Sequence, residues 1–577
     1  MPARRGVLAF VLVLVVLGLA LAFVTIRRFH AVDLPSTQSA VLVFDVPATL
    51  TEGDPPTSSL LFTPRRRARL TTYEVVRALR VAAADDGVTG LVLHVESLDW
   101  GWGKLDEVRE AVREFRDSGK PVYASLTGGG EREYLLASAA DVVAMPPTAV
   151  LQLDGLAATA TFFRGSFDKI GVRPNFVQVG RFKSAAETYT RTGMSPESRE
   201  ALGAVLDDLY RLLLARVGEG RGLEPDSVGR LLERGPFSAV EARGLGLLDT
   251  LLYDTEVDTL ALAGHGVRRR AVPFTRYLAG LGGPRGGPRV ALVAAEGAIV
   301  GGRSRAMPGQ EQELGAETLI EALRTARRRS AIKAIVLRVD SPGGSAQASD
   351  DIWREVERCR AVKPVIVSMA DAAASGGYYV AVAADSIVAM PGTLTGSIGI
   401  YGGKFNILGT FEKLGLSVET VSRGAHAEMF SPYRDFTPEE AARFQQNLEE
   451  FYRGFVARVA RGRRLPEAEV DSLGAGRVWT GVAARRLGLV DRLGGIATAL
   501  EMARAAAGLP ADEELAVERF PRVRRTLLER WVEEFVLRDE DAEAWMALPP
   551  MLRAWATVAS LPAGEPLAIM PFQVDVR

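Results

Sequence analysis

One cysteine, Cys359, stands in 577 residues. An internal disulfide is therefore excluded, and so is any metal cage built from cysteine thiolates. Cys359 lies in the amphipathic stretch "DIWREVERCRAV", which reads it as a helix-packing residue. Histidine is scarce too, with four in all. There is no HExxH spacing and no cluster of ligating side chains, so no metal is expected. No cofactor is expected either: a P-loop is missing, and the glycine-rich "GLGGPRGGPR" at Gly280–Arg289 lacks the strand-to-helix setting of a dinucleotide fingerprint. Neither charge is in excess, with 70 Lys and Arg against 71 Asp and Glu. A nucleic-acid partner, which needs a basic footprint, is not expected.

What is present begins at the N-terminus. Arg4 and Arg5 precede an uncharged, mostly apolar run from Gly6 to Ile26, and Arg27 and Arg28 follow. About twenty such residues span a bilayer, whereas a signal-peptide core is usually about 7–15. The reading is an uncleaved transmembrane anchor over residues 1–28. The chain is too long for one ordinary core, so more than one domain is expected.

The rest of the chain says its pattern twice. "VLVFDVPATLTEG" from Val41 resembles "VALVAAEGAIVGG" from Val290, and "GLVLHVESLDWGWG" from Gly90 resembles "AIVLRVDSPGGSAQ" from Ala334. "GKPVYASL" pairs with "VKPVIVSM", and "ASAADVVAMPPT" with "AVAADSIVAMPGT". "DLYRLLLARVGEGRGL" pairs with "EFYRGFVARVARGRRL", and "AVEARGLGLLD" with "GVAARRLGLVD", in the same order. Short apolar runs such as "AIVLRV" and "PVIVSM" read as buried strands with an amphipathic helix between them. That order predicts a parallel α/β architecture. The expected layout is a first repeat at 36–260, a Gly/Pro-rich linker at 261–289, a second repeat at 290–505 and a partly helical tail at 506–577.

The halves differ where chemistry would need them. The second reads "DAAASGGYYVAVAAD", with Ser375 before two glycines. A register offset of 244 residues puts Glu131 at the matching place in the first half. The first half carries Lys183 in "GRFKSAAETYT", and no lysine lies between Ala425 and Phe436 in the second. One half thus holds a candidate nucleophile and the other a candidate amine. Desolvation lowers a buried lysine's pKa, and the neutral amine can then take the proton of a serine hydroxyl. Ser–Lys pairs are a known variant of the serine nucleophile. The backbone N–H groups of Gly344 in "SPGGS" and of Gly376 are candidate oxyanion donors. Ser345 reads as a helix N-cap.

"RVDSPGGSAQAS", "AAASGGYYVAVAAD", "GTLTGSIGIYG" and "GRFKSAAETYTRTGMSP" resemble the signal peptide peptidase A family in its long, duplicated, membrane-anchored form. The resemblance covers roughly residues 36 to 505. It implies a tandem duplication of a crotonase/Clp-protease-like domain. It also implies a serine peptidase whose dyad is Ser375 and Lys183, with Ser397 of "TLTGS" helping to hold the lysine. Further implications are peptide substrates such as cleaved signal peptides and a homo-oligomer, a dome-like tetramer. The place implied is a bacterial-type cytoplasmic membrane, crossed once, with the catalytic domains on the extracytoplasmic side.

Two other classes of function stand beside the peptidase. An acyl-CoA enzyme of the crotonase type shares backbone oxyanion donors but needs an acidic catalytic pair and CoA contacts. A non-catalytic membrane scaffold would keep the fold without the chemistry. Among the histidines, His30 adjoins the apolar run, His94 sits in the strand of the half without the serine, and His265 lies in the linker. His426 falls close to the position aligned with Lys183 and is the competing base.

Overall fold

The computed structural model describes residues 39–54, 70–263, 269–282, 287–305, 312–511, 515–522, 566–570 and 575–576. The anchor expected at 1–28 lies outside the described residues, as do His30 and His265. Among the described residues no helix is long and apolar enough to cross a membrane.

The Val- and Leu-rich runs do form buried parallel strands. In the first half Ala40–Asp45, Val88–Val95, Val122–Leu126 and Val142–Met145 lie side by side, all parallel. In the second half Arg289–Glu296, Ile332–Ser341 and Val365–Ala374 repeat the arrangement, with Ser386–Ala389 beside the last. Continuous apolar runs suit strands covered by helices on both faces. The repeat holds element by element. Helix Trp102–Asp117 corresponds to Ala346–Arg360, and the 26-residue helix Pro196–Arg221 to Pro438–Arg463, also 26 residues. Each long helix opens with a capping hydroxyl, Ser195 or Thr437, and a proline just inside. Each closes on a left-handed residue, Gly222 or Arg464. The fold class is thus α/β, duplicated, as the sequence predicts.

The stretch at 261–289 contains more than a connection. Arg270–Pro273 adds a parallel strand beside Ala40–Asp45, and helix Phe274–Gly280 follows it. Within the tail at 506–577, Ala516–Phe520 adds a parallel strand beside Arg289–Glu296. The periodicity of four or five residues is too short to show such edge strands in advance.

A third sheet joins the halves. Its order is Glu313–Gly315, Ala298–Val300, Gly343–Ser345, Leu567–Ile569, Ile400–Asn406 and Arg173–Val179. The last strand belongs to the first half. It pairs antiparallel with Ile400–Asn406 along its whole length, from Val179 opposite Ile400 to Arg173 opposite Asn406. The corresponding part of the second half, around residues 416–423, forms no strand.

Charge also crosses the seam. Arg338, fully buried, places its guanidinium 2.9 Å from Glu52 and 2.6 Å from Glu107, both from the first half. Lys104 of the first half stands 2.6 Å from Asp340 and 3.5 Å from Asp371 of the second. Asp371 also accepts the N–H groups of Gly101 and Lys104, and so caps helix Trp102–Asp117, whose own N-cap is a glycine.

Candidate active site

Strand Val365–Ala374 ends in Ser375, which opens helix Gly376–Ala381. The turn is tight enough to put Ser375 at φ 55°. A side chain other than glycine rarely adopts that conformation without surrounding structure to hold it. Here the Ser375 N–H donates to Gly396 O at 2.8 Å, and the Ser375 carbonyl accepts from Tyr379 N–H at 2.8 Å. The backbone is fixed from both sides, and the hydroxyl is left to other work.

Lys183 reaches that hydroxyl because Arg173–Val179 is paired across the seam. After the strand, Gly180 turns at φ 108° and the chain runs against the turn Gly474–Arg477. Phe182 N–H donates to Ala475 O at 2.8 Å. Lys183 Nζ then stands 2.7 Å from Ser375 Oγ, 3.0 Å from Ser397 Oγ and 3.3 Å from Ser397 O. Lys183, Ser375 and Ser397 are all fully buried. Burial holds the Lys183 ammonium well below the usual lysine range. Of the five non-glycine residues with positive φ among the described residues, Ser375, Ser397 and Ala475 surround this lysine. Backbone strain is concentrated where the side chains must converge.

The two glycines sit where no larger residue fits. A Cβ on Gly344 would lie 2.0 Å from Ile299 O, and one on Gly376 would lie 2.5 Å from Ser349 Oγ. Gly343 N–H is already used, donating to Ser341 Oγ at 3.2 Å. Gly376 N–H belongs to the first helical turn, where no intrahelical acceptor exists and no side chain caps it. Ser345 caps helix Ala346–Arg360 through Ala348 N–H.

The structure does not bring the competing residues here. His426 is exposed on a turn, and its nearest acidic neighbour is Glu439 at 3.9 Å. It makes no hydrogen bond to Ser375 or Lys183. His94 lies between Asp45 and Asp258 at 2.9 and 3.0 Å. Glu131, at the serine's place in the first half, accepts the N–H groups of Asp154 and Gly155. Cys359 is buried in its helix, and burial pushes its thiol up to about 12. Among the described residues no group of His, Cys, Asp and Glu could hold a metal ion.

Sequence reasoning missed two contributors. The Gly474–Arg477 turn supports Lys183, and its "GAGR" marked only a turn. The strand Leu567–Ile569 lies beside Gly343–Ser345, and nothing in "PLAIM" distinguished it from any other short apolar run.

Comparisons with known proteins bear on this geometry. The description of peptidase family S49 matches residues 114–268 and 357–510, one stretch in each half. The chain is 36% identical over 446 residues to "Serine protease SPPA, chloroplastic" of Arabidopsis thaliana, covering 76% of this chain and 66% of that protein. It is 34% identical over 451 residues to "Protease 4" of Salmonella typhi, covering 75% of this chain and 72% of that protein. Among solved structures it is similar to a mutant of the 1510-N membrane-bound stomatin-specific protease. That match has 15% identity and a TM-score of 0.27, and covers 41% of this chain and 100% of the other. A ClpP1 mutant from Listeria monocytogenes matches at 15% identity with a TM-score of 0.22, covering 35% of this chain and 90% of its own.

Proposed function

The chain belongs to peptidase family S49 and is a serine protease of the Protease 4 type, and from that premise we propose that it cuts peptide bonds with a dyad of Ser375 and Lys183. The observation that carries this reading is the 2.7 Å separation of Lys183 Nζ and Ser375 Oγ, both buried, in a site that favours the neutral amine.

The chemistry follows from those positions. Neutral Lys183 takes the proton of Ser375 as Oγ attacks the substrate carbonyl. The N–H groups of Gly344 and Gly376 receive the developing oxyanion. Protonated Lys183 then gives its proton to the leaving amine. A water molecule, deprotonated by the same amine, releases the acyl group from Ser375. Ser397 accepts from Nζ through both its hydroxyl and its carbonyl, which keeps the amine aimed at Ser375.

Apolar peptides are the proposed substrates, remnant signal peptides among them. Ala185, Ala186 and Tyr401 form a small apolar cluster with Phe176 beside the cleft, which suits apolar side chains. The apolar run Gly6–Ile26 would anchor the protein in a bacterial-type cytoplasmic membrane, with its catalytic halves on the extracytoplasmic side. Assembly as a homotetramer would enclose the sites. Membership of a peptidase family favours this reading over an acyl-CoA enzyme, and activity separates it from a scaffold.

The test is cleavage of a synthetic signal peptide in detergent by wild type, Ser375→Ala and Lys183→Ala. Wild type is expected to cut, and each variant to lose at least about a thousandfold in kcat/KM while remaining folded. Near-normal activity in Lys183→Ala would remove the lysine from the mechanism.

A further inference from the structure

The cleft already holds a peptide, and it is the chain's own. Leu567–Ile569 lies antiparallel to Gly343–Ser345, with Gly343 opposite Ile569, Gly344 opposite Ala568 and Ser345 opposite Leu567. On its other side Leu567 pairs with Tyr401 of strand Ile400–Asn406. The segment therefore bridges the oxyanion strand and the strand that positions Lys183. This is how an extended peptide adds to open sheet edges.

The register places one bond at the chemistry. Met570 N–H donates to Pro342 O at 2.6 Å, and Ala346 N–H donates to Pro566 O at 3.1 Å. In an antiparallel ladder hydrogen-bonded pairs recur at every second residue. Gly344 and Ala568 therefore form the hydrogen-bonded pair between these two. The Gly344 N–H meets the Ala568 carbonyl, the same N–H assigned above to the oxyanion. The Ala568 oxygen also lies 3.2 Å from where a Cβ on Gly376 would stand, so it is close to the second donor. Ala568 is fully buried, leaving no room beyond a methyl group. Leu567 and Ile569 point to the opposite face and join the apolar cluster of Ala185, Ala186, Tyr401 and Phe176.

We propose that the C-terminal segment is a substrate of the active site it occupies, cut between Ala568 and Ile569. The proposal rests on the Ser375 and Lys183 reading. Lys183 takes the Ser375 proton, and Oγ bonds to the Ala568 carbonyl carbon. The Ala568–Ile569 C–N bond breaks as Lys183 passes its proton to the Ile569 nitrogen. Water then hydrolyses the ester, leaving a carboxylate on Ala568 and a free Ser375 hydroxyl. The released product is the peptide from Ile569 to Arg577. Until the segment leaves, another peptide cannot pair with Gly343–Ser345, so the same cut governs access to the site.

The experiment is intact-mass analysis of the purified full chain in detergent, beside fluorophosphonate labelling and cleavage of a synthetic apolar peptide. Wild type is expected to end at Ala568 and Ser375→Ala to end at Arg577. Ala568→Trp, which should not fit the buried position, is expected to keep Arg577 in at least about nine-tenths of molecules while still labelling and cutting the synthetic peptide. Wild type that labels and cuts the synthetic peptide yet keeps Arg577 would overturn this proposal and leave the dyad standing. Wild type that neither labels nor cuts would overturn both. Loss of the segment in Ser375→Ala at the wild-type rate would also overturn the proposal, since another agent would be making the cut.

Discussion

Lys183 serves two ends that oppose each other. Its neutral amine is useful because burial disfavours the charged form, and the same burial works against folding. With the folded pKa held below the ordinary lysine value, the unfolded chain takes up a proton that the folded chain refuses. Lys183 therefore lowers stability at neutral pH, and this cost disappears only as pH rises past about 10.4. Lys183→Met should be inactive and yet more stable at neutral pH, by about 1 kcal/mol, read as a raised midpoint in thermal unfolding. A lowered midpoint would show that the bonds to Ser375 and Ser397 outweigh desolvation. The identities of Ser375 and Lys183 as a pair were legible in the sequence, because each stands in only one half. Ser397 was legible only by resemblance; its two bonds to Nζ depend on a positive-φ turn that no local pattern displays.

At the scale of elements, the active site depends on a strand that changes sides. Arg173–Val179 leaves its own half and pairs with Ile400–Asn406, and the turn Gly474–Arg477 then stops Lys183 at the right depth. Gly476 sits at φ 85°, and a Cβ there would lie 2.4 Å from the Lys183 nitrogen. Both facts oppose any side chain at this position. Gly476→Ala should push the lysine backbone away and lower kcat/KM by about a hundredfold, with fluorophosphonate labelling falling in step. The far-ultraviolet circular dichroism should stay that of wild type. Unchanged labelling would mean that the turn does not position the lysine. The strands and helices of each repeat were readable from apolar periodicity and from the repeat itself. The borrowed cap on helix Trp102–Asp117 was not, since Asp371 comes from the other half.

Across the whole molecule the halves are locked by buried charge. Arg338 answers Glu52 and Glu107, while Lys104 answers Asp340 and Asp371. Glu296 lies beside this group and accepts the N–H groups of Glu52 and Gly53 at 2.9 and 3.3 Å. Burial, with Asp340 and Glu52 nearby, raises its carboxyl to about 7 against the pull of Lys104. A carboxyl that binds its proton more tightly when folded gives its full stability below the ordinary glutamate pKa. That contribution is lost as pH rises through about 7. Glu296→Gln keeps an acceptor oxygen and removes the charge. It should be more stable than wild type at about pH 8 and no different at about pH 4. Equal midpoints at both would show that Glu296 is ionised at little cost.

The sequence by itself determined the duplication, the alternation of strand and helix in each half, and the division of serine from lysine between the halves. These follow from local periodicity and from comparing one half with the other, so they need no knowledge of distant contacts. Only the tertiary structure decided that Ser375 and Lys183, 192 residues apart, meet within one chain. It also decided that Leu567–Ile569 lies across them. Both outcomes depend on which sheet edges remain open once the two halves have packed. An open edge accepts any extended segment through backbone groups that every residue carries, so side-chain pattern could not mark those segments beforehand.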